Sequence, residues 1–179
     1  MSRGLCAITG GTGYVGYALV KLLEEKGEPF RLFLRKDNPI FDGIECEKAF
    51  GNLGSVEDLA KAFEGAETVY HIAGLVDITN KLGKELWEVN VEGTKNVIAA
   101  CKKCGVKNLV YVSSVDAIPV SDEGDAAIEE DETDVDFSPI SEISHFNPGM
   151  LEGEYARSKA VATQFVLDSK DDLKYCSFP

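Results

Sequence analysis

The sequence has no apolar run long enough to cross a membrane. No stretch approaches the roughly 18 consecutive apolar residues of a membrane-spanning helix, and Met1-Ser2-Arg3 leads directly into a strand pattern instead of a signal peptide. The chain has 179 residues, of which 44% are hydrophobic, so it has the size of one domain and enough apolar content for a substantial core. We therefore predict a cytoplasmic protein with no membrane partner.

Basic residues are also scarce. The 18 Lys and Arg residues are outnumbered by 31 Asp and Glu residues, which gives a net charge of -13. Between Ser113 and Met150 there is no basic residue but there are eleven acidic ones, so most of the excess lies in this one segment. We expect a loop that is solvated or covers a site. Because no basic stripe is available to contact phosphates, we predict no nucleic-acid partner.

Clusters of metal ligands are missing as well. The two histidines, His71 and His145, are far apart, and Cys101 and Cys104 are the only pair of the five cysteines with a metal-like or redox-like spacing. These two thiols lie in a helical pattern, where cysteines three residues apart need no special role. We predict reduced cysteines and no metal site. His71 ends an apolar strand pattern, and we expect it to be packed or hydrogen-bonded rather than catalytic.

Apolar patterns of strand and helix alternate along the chain. Strand patterns cover residues 5–9, 30–34, 46–50, 68–72, 109–112 and 173–178, and helical patterns cover residues 14–26, 55–63, 84–104 and 151–167. Strands separated by helices form parallel sheets through right-handed crossovers. The sequence therefore predicts an α/β fold over residues 1–179, a doubly wound parallel sheet of the Rossmann-like, dinucleotide-binding kind.

A glycine-rich turn links the first strand pattern to the first helical pattern. Gly10, Gly13 and Gly16 are spaced three apart. Such a turn lets the backbone approach a pyrophosphate without a Cβ, and the helix N-terminus offers N–H groups and a positive dipole end. The alternative is an ordinary glycine-rich connection, which the strand before the turn and the helix after it make less favourable.

The residues after the second strand pattern bear on which dinucleotide binds. An acidic residue about 20 positions after the glycines would bind the ribose 2′-hydroxyl of NAD, but this strand ends Leu34-Arg35-Lys36-Asp37. Arg35 and Lys36 suit the 2′-phosphate of NADP(H), which we therefore favour. Asp37 keeps NAD(H) as an alternative, and a solvated basic turn is a third interpretation.

Tyr155 and Lys159 are four residues apart in the last helical pattern, and Ser113-Ser114 follows the fifth strand pattern. Residues at i and i+4 share one face of a helix, and an ammonium close to a phenol stabilises the phenolate. Tyr155 would exchange a proton with a substrate hydroxyl while hydride passes to or from a nicotinamide, and Ser114 would hydrogen-bond the same oxygen. An exposed tyrosine beside a solvated lysine is the alternative.

Six motifs are spread over nearly the whole chain. They are Thr9-Gly10-Gly11-Thr12-Gly13-Tyr14-Val15-Gly16, Gly51-Asn52-Leu53, His71-Ile72-Ala73-Gly74, Asn90-Val91-Glu92-Gly93-Thr94, Tyr111-Val112-Ser113-Ser114 and Tyr155-x-x-x-Lys159. In combination they resemble the extended short-chain dehydrogenase/reductase family, with Asn52 where an Asp is usual. The resemblance implies the catalytic set Ser114, Tyr155, Lys159 and Asn90. It also implies cofactor contacts from Gly10, Thr12, Gly13, Tyr14, Val15, Gly16, Arg35, Lys36, Asn52, Leu53, Ala73, Gly74, Tyr155 and Lys159.

Within that family the chain looks most like the dihydroflavonol-reductase-like reductases and the NAD-dependent epimerase/dehydratase proteins. The resemblance implies hydride transfer on a small-molecule carbonyl/alcohol pair. The alternatives are a nucleotide-sugar epimerase or dehydratase that retains NAD, and a non-catalytic dinucleotide-sensing regulator. The segment after Ser114 lacks the Val-Tyr-Gly that is usual in the sugar-nucleotide enzymes, which makes that alternative less favourable.

The resemblance also bears on domain organisation. Members usually carry a smaller C-terminal lobe that forms much of the substrate pocket, so residues 1–179 correspond to the cofactor lobe with the substrate lobe absent. We expect this chain alone to bind dinucleotide and to turn over substrate poorly. The helical patterns at residues 84–104 and 151–167 match the usual dimer surface, which makes a homodimer possible.

Overall fold

Six parallel strands form one sheet at the centre of the molecule. The computed structural model describes residues 4–77, 79, 81–118, 143, 145–169 and 173–178; the most acidic stretch, residues 121–136, lies outside them. In spatial order β3-β2-β1-β4-β5-β6, the strands are β1 (Cys6–Thr9), β2 (Phe30–Leu34), β3 (Glu47–Phe50), β4 (Thr68–His71), β5 (Asn108–Val112) and β6 (Lys174–Phe178). Each neighbouring pair is parallel. The predicted doubly wound fold is confirmed, and each strand end lies within one residue of its predicted position.

Helices connect the strands. They are α1 (Tyr14–Glu25), α2 (Val56–Phe63), α3 (Gly83–Leu86), α4 (Gly93–Cys104) and α5 (Glu154–Asp168). Ser55 caps α2, since its hydroxyl accepts a hydrogen bond from Asp58 N at 3.2 Å. Among the described residues no helix is long and apolar enough to cross a membrane.

Two helices differ from their predicted form. The helix expected over residues 84–104 is continuous, but it contains a π-helical segment, Trp87–Glu92, between α3 and α4. The last helix begins at Glu154 instead of residue 151, because a 3-10 turn occupies Pro148–Met150 and Gly153 has φ +81, which a right-handed helix excludes. The spacing of hydrophobic residues reveals neither a π-helical turn nor a residue with positive φ, so the sequence pattern could not predict these two features.

Apolar side chains cover both faces of the sheet. On one face Leu59, Phe63, Val97 and Val166 from α2, α4 and α5 pack against Leu109 of β5. On the other face, Val20 and Leu23 of α1 pack with Ile8, Leu32 and Phe41. The strand order reverses between β1 and β4, and in such sheets ligands bind beyond the carboxyl ends of the strands at that point. Thr9, Leu34, His71 and Val112 end their strands at this edge.

Candidate active site

The glycine turn lies at the end of β1 and packs closely against the segment after β4. Gly10 has φ +78, and a Cβ added to it would lie 2.4 Å from the Ala73 nitrogen. A Cβ on Gly16 would lie 2.2 Å from the Gly10 carbonyl oxygen. Gly13 has more room, since the nearest atom to its added Cβ would be that same oxygen at 3.4 Å. Packing within the chain therefore requires glycine at residues 10 and 16 but not at residue 13.

The N-terminus of α1 is open. Thr12, Gly13, Tyr14 and Val15 are all exposed, and Tyr14 is 95% exposed. Gly13 is the residue before the helix, and none of the described side chains caps it. The first N–H groups of an uncapped helix have no intrahelical partner and carry the positive end of the helix dipole. This end of α1 can therefore bind an anionic group through its backbone.

The turn after β2 holds three charged residues that differ in their contacts. Arg35 and Lys36 are exposed, and neither has an ion-pair partner in the described part of the chain. Asp37 Oδ1 accepts hydrogen bonds from Lys48 Nζ at 2.8 Å and from the Asn38 backbone at 3.1 Å. The hydrogen bond from Lys48 and then that from Asn38 lower the pKa of Asp37. The two basic residues are therefore available to a ligand, whereas Asp37 is already paired.

The turn after β3 lies beside the end of β2. Gly51 N donates to the Leu34 carbonyl at 3.0 Å, and the exposed Asn52 accepts from Gly54 N at 2.8 Å through Oδ1. Leu53 is half-buried, and its carbonyl accepts from Asn96 Nδ2 of α4 at 2.9 Å. Asn52 thus faces solvent at the edge of the cleft, whereas Leu53 anchors the turn to α4.

A chain of buried hydrogen bonds connects β1, β4 and the helical run that includes α4. Thr94 Oγ1 donates to the Asn90 carbonyl at 2.6 Å, so it accepts from His71 Nε2 at 2.9 Å. His71 Nδ1 then accepts from Thr9 Oγ1 at 2.8 Å, and that oxygen accepts from Ala73 N at 3.3 Å. Burial, and then the charge of Lys159, lower the pKa of His71 to about 3. His71 is a neutral, packed residue, as the sequence indicated.

Asn90 is 2% exposed and holds the segment that follows Gly74. Its Oδ1 accepts from Leu75 N at 2.8 Å, while its Nδ2 donates to the Leu75 carbonyl at 3.0 Å and to Ser158 Oγ at 3.1 Å. The side-chain amide therefore reproduces a backbone pairing and also contacts α5. We predicted Asn90 in the catalytic set; the structure shows its side chain buried and bonded to Leu75 and Ser158, and its role in catalysis stays a prediction.

Lys159 lies where β5 ends. Its Nζ donates to the Val112 carbonyl at 2.7 Å and sits 4.6 Å from the centre of the Tyr111 ring. The side chain is 5% exposed, and burial lowers its pKa to about 8. A Cβ added to Gly74 would lie 3.9 Å from Nζ, so the ammonium also borders the Ala73-Gly74 segment. The lysine joins the end of β5 to the segment after β4.

Ser114 and Tyr155 lie on neighbouring elements. Ser114 is half-buried; its hydroxyl donates to Asp116 Oδ2 at 3.2 Å and accepts from Asp116 N at 3.3 Å. The turn that follows packs its Ala117 against Ala156 and Ala160 of α5. Tyr155 is half-buried in the first turn of α5. Ser113 is directed elsewhere, because its hydroxyl lies 2.5 Å from Thr163 Oγ1, which itself donates to the Lys159 carbonyl.

Several residues that hold the site were not identified from the sequence. Thr9, Thr94, Ser158 and Thr163 are buried and each bonds to a polar group of the site or its support. Thr9 and Thr94 stand in two of the six motifs, but hydroxyl residues are common in helices and strands, and no local pattern shows which group each of the four bonds. In the described part of the chain, no group of three or more His, Cys, Asp or Glu residues is arranged to hold a metal.

The structure combines a Rossmann-like sheet with a Tyr-x-x-x-Lys helix, and the buried lysine of that helix lies against the end of the fifth strand. This is the architecture of the extended short-chain dehydrogenases/reductases, as the sequence predicted. Within this class, the chain belongs to the 3-beta hydroxysteroid dehydrogenase/isomerase family, whose model matches residues 7–177. The predicted resemblance is therefore confirmed.

The chain is also similar to individual proteins and solved structures. Sterol demethylase protein B of Methylococcus capsulatus is 34% identical over 162 residues, which are 89% of this chain and 45% of that protein. The crystal structure of gox2253 matches with a TM-score of 0.77 and 30% identity over 98% of this chain and 50% of its own. A short-chain dehydrogenase/reductase superfamily protein from Agrobacterium tumefaciens with bound NAD has a TM-score of 0.75 and 23% identity, and the match covers 97% of this chain and 48% of its own. The chain spans about half the length of the relatives it matches.

Proposed function

We propose that this chain supplies the dinucleotide site and the proton-transfer residues of an NAD(P)-dependent oxidoreductase acting on a carbonyl/alcohol pair. The observation that carries the proposal is the place of Lys159. Its ammonium is buried at the end of β5, directly before Ser113-Ser114, and lies one helical turn after Tyr155. A buried cation at that point can stabilise a phenolate and can contact ribose hydroxyls.

The residues present fit a dinucleotide. Gly10 and Gly16 bring the open end of α1 against the Ala73 backbone, where a Cβ would intrude. We assign the pyrophosphate to the N–H groups at this helix end, the adenosine to Asn52 and the basic pair Arg35-Lys36, and the nicotinamide ribose to Lys159. When bound, the dinucleotide supplies the hydride donor or acceptor.

The chain's own residues move the proton. In the reductive direction, the carbonyl carbon receives hydride and its oxygen takes the hydroxyl proton of Tyr155, leaving a phenolate that the Lys159 ammonium stabilises. Ser114 donates a hydrogen bond to the same oxygen and orients it. In the oxidative direction, the phenolate takes the alcohol proton back. One new charge, that of the phenolate, thus forms in the step, and the positive charge of the buried Lys159 ammonium offsets it.

The substrate class that we propose to examine first is a 3β-hydroxysteroid. The family model that covers residues 7–177 is named for that chemistry, and a 3-beta-hydroxysteroid dehydrogenase of Mycolicibacterium neoaurum is among the relatives, at 32% identity over 92% of this chain. The sugar-nucleotide alternative has weaker support, because the segment after Ser114 lacks the Val-Tyr-Gly of those enzymes.

Substitution of Tyr155 tests the proton step. In a protein completed with a C-terminal substrate lobe, Tyr155→Phe is expected to lower turnover of a 3β-hydroxysteroid by about 100-fold or more, as for loss of a general acid–base group, with dinucleotide affinity nearly unchanged. Lys159→Ala is expected to impair both. Tyr17→Phe is the matched control, because Tyr17 packs against Phe41 on the other face of the sheet. If Tyr155→Phe kept most of the parent activity, Tyr155 would not be the proton donor.

We further propose that NADP(H) is preferred over NAD(H). Arg35 and Lys36 are exposed beyond β2, and a charge-assisted contact to a phosphate contributes about 1.5–3 kcal/mol, or roughly ten- to a hundredfold in affinity. Titration of the chain with both dinucleotides measures the preference. Arg35→Ala should weaken NADPH binding selectively. Asp37→Asn, the matched control, should have little effect because Lys48 already pairs with Asp37. Equal or tighter binding of NAD would refute the proposal and move the ribose contact to Asp37.

A further inference from the structure

The π-helical segment makes two side-chain hydrogen bonds to α5. Trp87 Nε1 donates to Glu154 Oε2 at 2.6 Å, and Asn90 Nδ2 donates to Ser158 Oγ at 3.1 Å. Glu154 and Ser158 are four residues apart, so the two bonds fall on one face of α5, in its first and second turns. Each partner on α5 directly precedes a proposed active-site residue, Tyr155 in one case and Lys159 in the other.

The bond from Asn90 continues to Tyr155 itself. Ser158 Oγ accepts from Asn90 and donates to the Tyr155 carbonyl at 2.8 Å. The backbone of Tyr155 is therefore held on its C-terminal side by a buried chain of hydrogen bonds that starts in the π segment. Such side-chain networks in low dielectric hold a single arrangement when every member is satisfied.

On the N-terminal side of Tyr155, the start of α5 is held by fewer local contacts of its own. The residue before the helix, Gly153, has φ +81 and provides no side-chain cap. Glu154 is the one acidic residue of the first turn, and its Oε1 lies 3.6 Å from Arg157 Nη1. Its contact with the half-buried Trp87 is shorter and joins a charged acceptor to an N–H donor, which makes it the stronger of these contacts.

We propose that Trp87 and Glu154 form a latch that positions Tyr155, the latch being the indole–carboxylate hydrogen bond between them. It holds the first turn of α5 against the π segment, and the Asn90–Ser158 hydrogen bond holds the second turn of α5 in the same way. Trp87 and Glu154 are positioning residues. The catalytic part of this inference rests on the proposed role of Tyr155, since proton transfer depends on holding the hydroxyl within about 0.5 Å of its productive place.

The latch has a direct spectroscopic signature, because Trp87 is the only tryptophan of the chain. One indole N–H resonance is therefore expected in a proton–nitrogen NMR spectrum, displaced downfield by the carboxylate. Glu154→Ala should move this resonance upfield. The matched control is Glu152→Ala, which removes an exposed acidic side chain near the same helix end without touching the indole. An indole resonance that is unmoved by Glu154→Ala would refute the latch.

Trp87→Phe distinguishes the hydrogen bond of the latch from the effect of the Glu154 charge at the helix end. It removes the indole N–H donor and keeps the carboxylate of Glu154. Amide hydrogen exchange in the first two turns of α5 should accelerate by about tenfold in Trp87→Phe and in Glu154→Ala, as expected for loss of one charge-assisted bond. The double variant should show little further acceleration, since both changes remove the same bond. Unchanged exchange in Trp87→Phe would mean that the bond does not hold the turn and would overturn the proposal.

Turnover tests the positioning of Tyr155. In the protein completed with a C-terminal substrate lobe and oxidising a 3β-hydroxysteroid, each single variant should lower kcat by about tenfold, with KM and dinucleotide affinity near the parent values, because misplacement affects the transition state more than binding. Accelerated exchange with unchanged kcat would refute the positioning role. If instead Tyr155→Phe retains full activity, the proposed function fails, while the indole and exchange measurements still decide whether the latch exists.

Discussion

The two halves of the sheet provide the site in different ways. In the half that ends with α2, the proposed pyrophosphate site is built from backbone, the turn at Gly10–Gly16 and the uncapped start of α1, and the side chains proposed beside it, those of Arg35, Lys36 and Asn52, are exposed. In the half that begins with β4, it is offered by side chains held in buried hydrogen bonds. Of the ten buried polar residues among those described, nine lie from His71 onward and only Thr9 precedes it.

This difference determines what can be inferred from a short stretch of sequence. A turn that needs backbone approach is encoded locally by glycine, because only the absence of a Cβ permits it. A side chain that must point in one direction needs hydrogen-bond partners, and in this protein those partners are far away along the sequence. Thr9 pairs with His71 across 62 positions, Asn90 with Ser158 across 68, and Ser113 with Thr163 across 50.

The largest expected effect concerns the first half. Gly16→Ala should lower the free energy of unfolding by more than about 4 kcal/mol, at the upper end of what overpacking causes, because its Cβ would lie 2.2 Å from the Gly10 oxygen. Gly13→Ala should have a small effect on stability, since its nearest contact would be 3.4 Å away. Urea unfolding of both variants gives the comparison. Equal stability of the two would show that the turn is not held by backbone packing.

The second effect concerns Asn90. Asn90→Ala leaves the N–H and C=O of Leu75 without their partner and removes the bond to Ser158, so unfolding should become easier by about 3 kcal/mol. Asn96→Ala in α4 is the control, because it removes one bond, to the Leu53 carbonyl, and should cost about 1 kcal/mol. If both variants lost the same amount in urea unfolding, the buried bonds of Asn90 would contribute no more to stability than the single bond of Asn96.

The smallest effect concerns pH. Burial keeps the pKa of His71 at about 3, below its ordinary value of 6.5. Below pH 6.5 the unfolded chain binds a proton that the folded chain excludes, so the free energy of unfolding falls as the pH falls from 6.5 towards 3, by about 2 kcal/mol from this residue at pH 5. NMR of the imidazole nitrogens at pH 5 should show a neutral ring protonated on Nε2. His145→Gln, which removes the only other histidine, assigns the signal. A charged His71 at pH 5 would contradict the buried network.

The sequence predicted the elements well and the contacts of the site less well. Strand ends were accurate to one residue because alternation of apolar segments with glycine and polar turns is a local signal. The π segment at Trp87–Glu92 was missed, since it keeps a helical pattern of apolar residues. The buried hydrogen bond between Asn90 and Ser158 was not predicted either. Which polar group each side chain bonds is decided by the approach of α5 to the π segment.

By itself, then, the sequence determined the parallel sheet, the glycine turn and the placing of Lys159 one helical turn after Tyr155. Each of these depends on residues that are neighbours along the chain or one turn apart, and such relations are visible as spacing. Only the tertiary structure decided that His71 is neutral, that Asn90 bonds Leu75 and Ser158, that Asp37 is already paired and that Trp87 bonds Glu154. Those outcomes depend on which polar groups meet when distant segments pack, because every buried donor and acceptor needs a partner and the sequence does not show which partner it finds.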